Sequence, residues 1–246
     1  MKYFELKCLA YLKKDIDYMD SFDILSKYIN TSMSKDKELL SFHEEEKVFK
    51  NYSFGSFFSQ GKIRIYQKEN TYSFTLRSLD EEFVNKMQDL LRGNINNPFL
   101  QVLTTNKKTV KKFFISELYS ATPVVVSLPR QKGTKQMFWT PKDDIFALQK
   151  QLQDNLLKKY KFFYGEDLIP QQNFIQLFEI KNHKLQSIFF TKELSDKKQK
   201  VRLFGNKFKI MPNEDEVSQK LAFIALSCGL GEKQSYSAGF VLGKGM

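Results

Sequence analysis

Residues 71–105 read TYSFTLRSLDEEFVNKMQDLLRGNINNPFLQVLTT, and the reading of this stretch decides the fold. Its first eight residues, TYSFTLRS (71–78), are rich in aromatic and β-branched side chains, as strands are. The run SLDEEFVNKMQDLLRG (78–93) has a capping residue and an acidic first turn. Apolar side chains follow at 83, 87, 90 and 91, and a glycine closes the run. Those are the start and stop signals of a helix with one buried face. FLQVLTT (99–105) is again strand-like.

Working outward, KIRIYQ (62–67) predicts a strand that leads into 71–78 through a short turn containing Asn70. Upstream, residues 3–12 alternate around Phe4, Leu6, Cys8 and Ala10, the period of a half-buried strand. SFDILSKYIN (21–30) predicts a helix with Ser21 as N-cap. The order is strand, helix, strand, strand, helix, strand, the βαββαβ arrangement of a ferredoxin-like domain.

The same order recurs downstream. VKKFFISELY and PVVVSL predict strands, and residues 141–165 a long amphipathic helix from Pro141 to Gly165. FIQLFEI (174–180), LQSIFF (185–190) and KVRLFGNKFKIM (200–211) predict strands. Residues 213–229 predict a helix with an acidic first turn, and AGFVLG (238–243) a closing strand. The expected class is α+β: tandem ferredoxin-like (βαββαβ) domains packed side by side, over residues 1–107 and 108–246. No Pro- or Ser-rich linker separates them.

The 246 residues carry 39 Lys and Arg against 28 Asp and Glu, a formal charge of +11. A solvated basic surface is one reading of that excess; a polyanion partner is the sharper one, since Lys and Arg displace counterions from phosphates. The N-terminal MKYFELKCLAYLKKD places charges where a secretory signal needs an apolar core. LAFIALSCGL (221–230) is too short to span a bilayer, and no long basic amphipathic helix favours a membrane surface. A soluble, cytoplasmic chain with no membrane partner is expected. Cys8 and Cys228 sit in apolar surroundings and form no CxxC pair, so burial is expected of both.

With only His43 and His183, a His/Cys metal site is poorly supplied, and no metal or other cofactor is expected. The acids at 143–144 and 214–216 fall in first turns of helices, where they suit the dipole. His183 lies at a hairpin turn between lysines. His43 follows the first helical region and precedes an aromatic stretch, with Lys47 and Lys50 nearby and Tyr28 on the preceding helix. Composition alone favours a structural His43. Tyr, His and Lys together also suit metal-free acid/base work on a phosphodiester.

The chain ends GLGEKQSYSAGFVLGKGM, and five glycines fall in these 18 residues. The tail GLGEKQSYSAGFVLG resembles the glycine-rich loop of the CRISPR-associated endoribonucleases that cut precursor CRISPR RNA within its repeats, members of the RAMP superfamily. Gly229, Leu230, Gly231, Glu232, Lys233 and Ser235 match that family's pattern, as do Gly239 and Phe240. Gln234 stands where the pattern has Asn, Val241 replaces its last glycine, and the intervening segment is about two residues longer. SATPVVVSL (120–128), LQDNLLKKYKFFYGE (152–166) and FHEEEKVFKNYSFGSFF (42–58) are similar to further family segments, so the likeness covers most of the chain.

The resemblance implies a tandem ferredoxin-like fold and a metal-independent endoribonuclease. The 2′-hydroxyl attacks its own phosphate and leaves a 2′,3′-cyclic phosphate and a 5′-hydroxyl end. It implies Tyr28, His43 and Lys50 as catalytic residues, with Lys47 a rival for Lys50. Tyr28 would act on the 2′-hydroxyl and His43 would protonate the leaving 5′-oxygen, or the two roles would be exchanged, and Lys50 would stabilise the phosphorane. Gly229, Gly231 and Gly239 would let backbone amides approach an RNA phosphate. Lys233, Gln234 and Ser235 would add donors. The basic stretches NKKTVKK (106–112), RQKGTKQ (130–136, with Arg130, Lys132 and Lys135) and DKKQKVR (196–202) are further candidate RNA contacts. CRISPR repeat RNA is the implied partner, with effector-complex subunits and a second copy of the chain as further candidates. A non-catalytic RAMP subunit that holds CRISPR RNA is the alternative. A general RNA-binding ferredoxin-like protein is a third reading, for which the sequence carries no RNP-type motif.

Overall fold

The computed structural model describes residues 1–44, 52–59, 61, 63–129, 136–182, 184–194 and 197–245. It divides into two compact units. The first comprises Met1–Lys111, Phe189–Val201 and Ser235–Ser237; the second comprises Lys112–Ile188, Arg202–Gln234 and Ala238–Met246.

The first unit runs β1 (Lys2–Leu12), β2 (Ile16–Asp17), α1 (Tyr18–Met33), α2 (Lys37–Glu44), β3 (Tyr52–Phe54), β4 (Ile65–Tyr66), β5 (Thr71–Ser78), α3 (Glu81–Arg92) and β6 (Leu100–Lys111). Its four-stranded antiparallel sheet has the order β3-β5-β1-β6, which is ferredoxin-like. Alternation in β1 sends Phe4, Leu6, Cys8, Ala10 and Leu12 into the core. There they meet Leu25, Ile29 and Met33 of α1 and Val84, Met87 and Leu91 of α3. Asp80 caps α3 by accepting the Phe83 amide at 3.1 Å.

One strand differs from the sequence expectation. The partner of β5 is β3, inside the aromatic stretch, with Tyr52 opposite Ser78 and Phe54 opposite Leu76. Among the described residues of the expected strand at 62–67 only β4 forms, and it pairs with β2. Burial explains the exchange. Tyr52, Ser53 and Phe54 are all buried, and Tyr52 stacks on Phe83 at 5.2 Å, whereas Ile65 is exposed. The aromatic segment therefore removes more apolar surface from water.

β7 (Ile115–Ser120), α4 (Ile145–Tyr164) and β8 (Ile175–Ile180) open the second unit; β9 (Gln186–Leu194) and β10 (Lys197–Gly205) follow, with Phe189–Val201 counted in the first unit; β11 (Phe208–Pro212), α5 (Glu216–Cys228) and β12 (Val241–Gly245) complete the second. The sheet order β12-β7-β11-β8 repeats the ferredoxin-like pattern. The pair β9 and β10 forms a separate two-stranded sheet inserted between β8 and β11. Residues 200–211 are therefore two strands rather than one, β10 ending at Gly205 and β11 starting at Phe208; a side chain at Gly205 would meet the Val124 carbonyl at 2.5 Å. PVVVSL is no strand but makes single bridges, Val124 with Asn206 and Val125 with Glu232. β6 pairs with β1 as far as Lys111, so the first unit extends past residue 107. Among the described residues no helix is long and apolar enough to cross a membrane.

Candidate functional site

α2 carries His43 in its second turn. Asp36 sets the start of this helix: its carboxylate accepts the amides of Glu38 and Leu39, both at 3.0 Å. Leu39 is buried against the first core. Lys86 of α3 pairs with Glu38, with Glu82 at 3.3 Å and with Asp36 at 3.9 Å. Its hydrogen bond to Glu38 is the main reason its pKa lies above the ordinary lysine value. The helix that bears His43 is thus tied to the first core by one apolar anchor and to α3 by one cluster of charges. The His43 side chain lies outside the described residues, as do all of Lys47, Lys50, Arg130, Lys132, Lys135 and His183.

Tyr28 is a correction. It is 0% exposed within the first core. Its hydroxyl donates to the Leu91 carbonyl at 2.6 Å and accepts the Val102 amide at 3.0 Å. Burial pushes its pKa up to about 12. A phenol committed to two backbone groups inside a core does not reach an RNA 2′-hydroxyl, so Tyr28 joins α1 to α3 and β6 and leaves the catalytic set.

The glycine-rich loop is built around contacts within its own chain. Gly229, Gly231 and Gly239 all have positive φ, at 79°, 74° and 67°. A side chain at Gly239 would lie 1.8 Å from the Leu230 carbonyl oxygen, and one at Gly231 would lie 2.7 Å from that of Val125. The Leu230 amide donates to Gly239, that of Glu232 to Val125 and that of Gly239 to Pro123, at 2.8, 2.9 and 2.8 Å. These amides serve the fold, so the expected anion nest does not include them. The Gln234 amide nitrogen likewise turns inward, onto the Gly231 carbonyl at 2.7 Å. The Glu232 carboxylate accepts both the amide and the hydroxyl of Ser127, at 3.1 and 2.6 Å. Ser235 is half-buried, and its carbonyl accepts the Ser26 hydroxyl at 2.6 Å within the first unit.

Lys233 stands apart. It is exposed and holds φ at 65°, a left-handed conformation costly for a residue with a side chain. Of the loop residues expected to contact RNA, it is the one whose side chain is offered to solvent. The basic stretch at 106–112 lies on β6, where Lys107 is engaged with Glu81 and Asn85, both at 2.7 Å. In the stretch at 196–202, Lys200 bonds Asp20 at 3.0 Å.

Lys159 of α4 was absent from the expected set. It is 4% exposed, and its ammonium donates to the carbonyls of Gly229 at 2.8 Å, Gly231 at 3.2 Å and Cys228 at 3.5 Å. Burial pulls its pKa down to about 8, an effect that Cys228 and Glu232 oppose only in part. The sequence did hold a signal. Lys159 continues the stripe of Leu148, Leu152 and Leu156, where a charge needs a buried partner.

Residues 103–242 match the family model described as CRISPR associated protein Cas6, C-terminal, over more than half of the chain. The chain belongs to the Cas6 family. A relative from Methanocaldococcus jannaschii, named CRISPR-associated endoribonuclease Cas6 2, is 24% identical over 233 residues, covering 90% of this chain and 93% of that protein. Among solved structures, a CRISPR associated protein Cas6 superposes with a TM-score of 0.69 at 20% identity, covering 98% of this chain and 99% of that one. A RAMP protein described as binding different RNA substrates gives 0.68 at 17% identity, with the same coverage. These two likenesses bear on the fold, which the Cas6 chain shares.

Proposed function

We propose that this Cas6 protein is an endoribonuclease that cuts CRISPR repeat RNA in the cytoplasm without a metal ion. The observation that carries the reading is the Cas6 family match over residues 103–242, joined to a relative named for that activity. In the proposed reaction the ribose 2′-oxygen attacks the adjacent phosphorus and the bond to the 5′-oxygen breaks. His43 gives the departing 5′-oxygen its proton, and the 2′-hydroxyl proton passes to water. Lys50, or Lys47 in its place, offsets the charge of the phosphorane. Lys233 contacts an RNA phosphate from the exposed tip of the loop. The products are a 2′,3′-cyclic phosphate and a 5′-hydroxyl end, and the cut RNA passes to subunits of a CRISPR effector complex.

The test is a labelled repeat RNA in EDTA, intact or with one 2′-deoxy sugar at the cut. The intact RNA is expected to yield a cyclic phosphate, and the deoxy RNA to bind but stay whole. Cutting of the deoxy RNA would exclude attack by the 2′-hydroxyl. Binding without cutting of either RNA would make the chain a carrier of CRISPR RNA.

A further inference from the structure

Lys159 has no place in the reaction proposed above, yet it is a buried ammonium directly behind the glycine-rich loop. Three carbonyl oxygens converge on it. Cys228 ends α5, and the last carbonyls of a helix lack partners within it and carry the negative end of its dipole. Gly229 and Gly231 continue the chain into the loop and turn their carbonyls the same way. One side chain therefore closes the helix end and sets the path of the next three residues. Two positions beyond Gly231, Lys233 emerges into solvent in its left-handed conformation.

We infer that Lys159 is the positioning residue of the RNA-contacting loop: its ammonium gathers the carbonyls of residues 228, 229 and 231, so that Lys233 is presented to an RNA phosphate, and loss of its charge weakens RNA binding. The inference rests on the reading that the loop touches RNA. The groups that face the ammonium are Cys228 from the end of α5 and Glu232 from the loop. On its own helix, Tyr160 is engaged with Glu166 and Lys158 is exposed. A charge in so dry a site is held less firmly than one in water, which agrees with the lowered pKa. An ammonium has three donors for its three carbonyls; a neutral amine has two.

The test measures repeat-RNA affinity from pH 7 to pH 9 for the full-length wild type, Lys159→Met and Lys233→Ala. Wild-type affinity is expected to fall severalfold, with a midpoint near 8. Lys159→Met is expected to bind roughly tenfold more weakly at pH 7, the equivalent of one charge-assisted contact, and to show no such fall. A flat wild-type profile would overturn the inference even if Lys159→Met did not fold. So would a Lys159→Met profile with the wild-type midpoint. Lys233→Ala separates the two levels. If it binds as wild type does, the loop is not an RNA contact and both readings fall. If it binds weakly while Lys159→Met binds normally, the loop reading stands and only the role of Lys159 is lost.

Discussion

Tyr28 and His43 lie 15 positions apart, one on a helix and the other beyond it, and sequence order alone made them a pair. Order does not record which face of α1 points inward. Tyr28 falls on the same face as Leu25 and Ile29, and its hydroxyl is held by Leu91 and Val102. Tyr28→Phe therefore takes the acceptor from the buried Val102 amide and leaves the Leu91 carbonyl with the Asn94 amide alone, at 3.3 Å. It is expected to cost about 1–3 kcal/mol of stability, read as a lowered denaturation midpoint, while cleavage by the folded fraction persists. A cleavage defect with unchanged stability would return Tyr28 to the catalytic set. At Lys159 the sign of the pH effect follows from its lowered pKa. Below pH 8 the lysine is charged in both folded and unfolded chains. Between about 8 and its ordinary value of 10.5 the unfolded chain binds more protons, so stability rises with pH. The wild type is expected to gain on Lys159→Met as pH rises through that window, in paired thermal melts. A constant difference would contradict a buried, depressed lysine.

At the scale of elements, 71–105 was legible because its signals are local: the Asp80 cap, the acids of the first turn and the apolar period of α3. β3 was not, because three residues define no period and their place beside β5 is set by burial across the sheet. The glycine-rich loop was half legible. Its need for positive φ could be read from composition, but the atoms that crowd Gly231 and Gly239 come from distant or folded-back segments. That crowding yields its own prediction. Gly239→Ala would drive a methyl into the Leu230 carbonyl, and a cost of at least about 2 kcal/mol is expected from strain and displaced backbone. A variant as stable as the wild type would return the glycine to a role in ligand approach.

At the scale of the whole molecule, two units share one strand order, and the chain carries a net charge of +11. Several lysines within that excess are already paired, Lys86, Lys107 and Lys200 among them. The total therefore overstates what is offered to RNA. If roughly six phosphates are neutralised, log affinity should fall with log salt at a slope of about −4 for single-stranded RNA. A slope near zero would remove the electrostatic basis of the RNA reading. The central claim is that a metal-free cut depends on His43. Its most direct test compares wild type with His43→Ala on labelled repeat RNA in EDTA, with affinity and end groups recorded together. The account predicts a 2′,3′-cyclic phosphate from the wild type and a rate about 10²–10⁴-fold lower in a variant that binds equally well. Cutting at the wild-type rate by His43→Ala would contradict it.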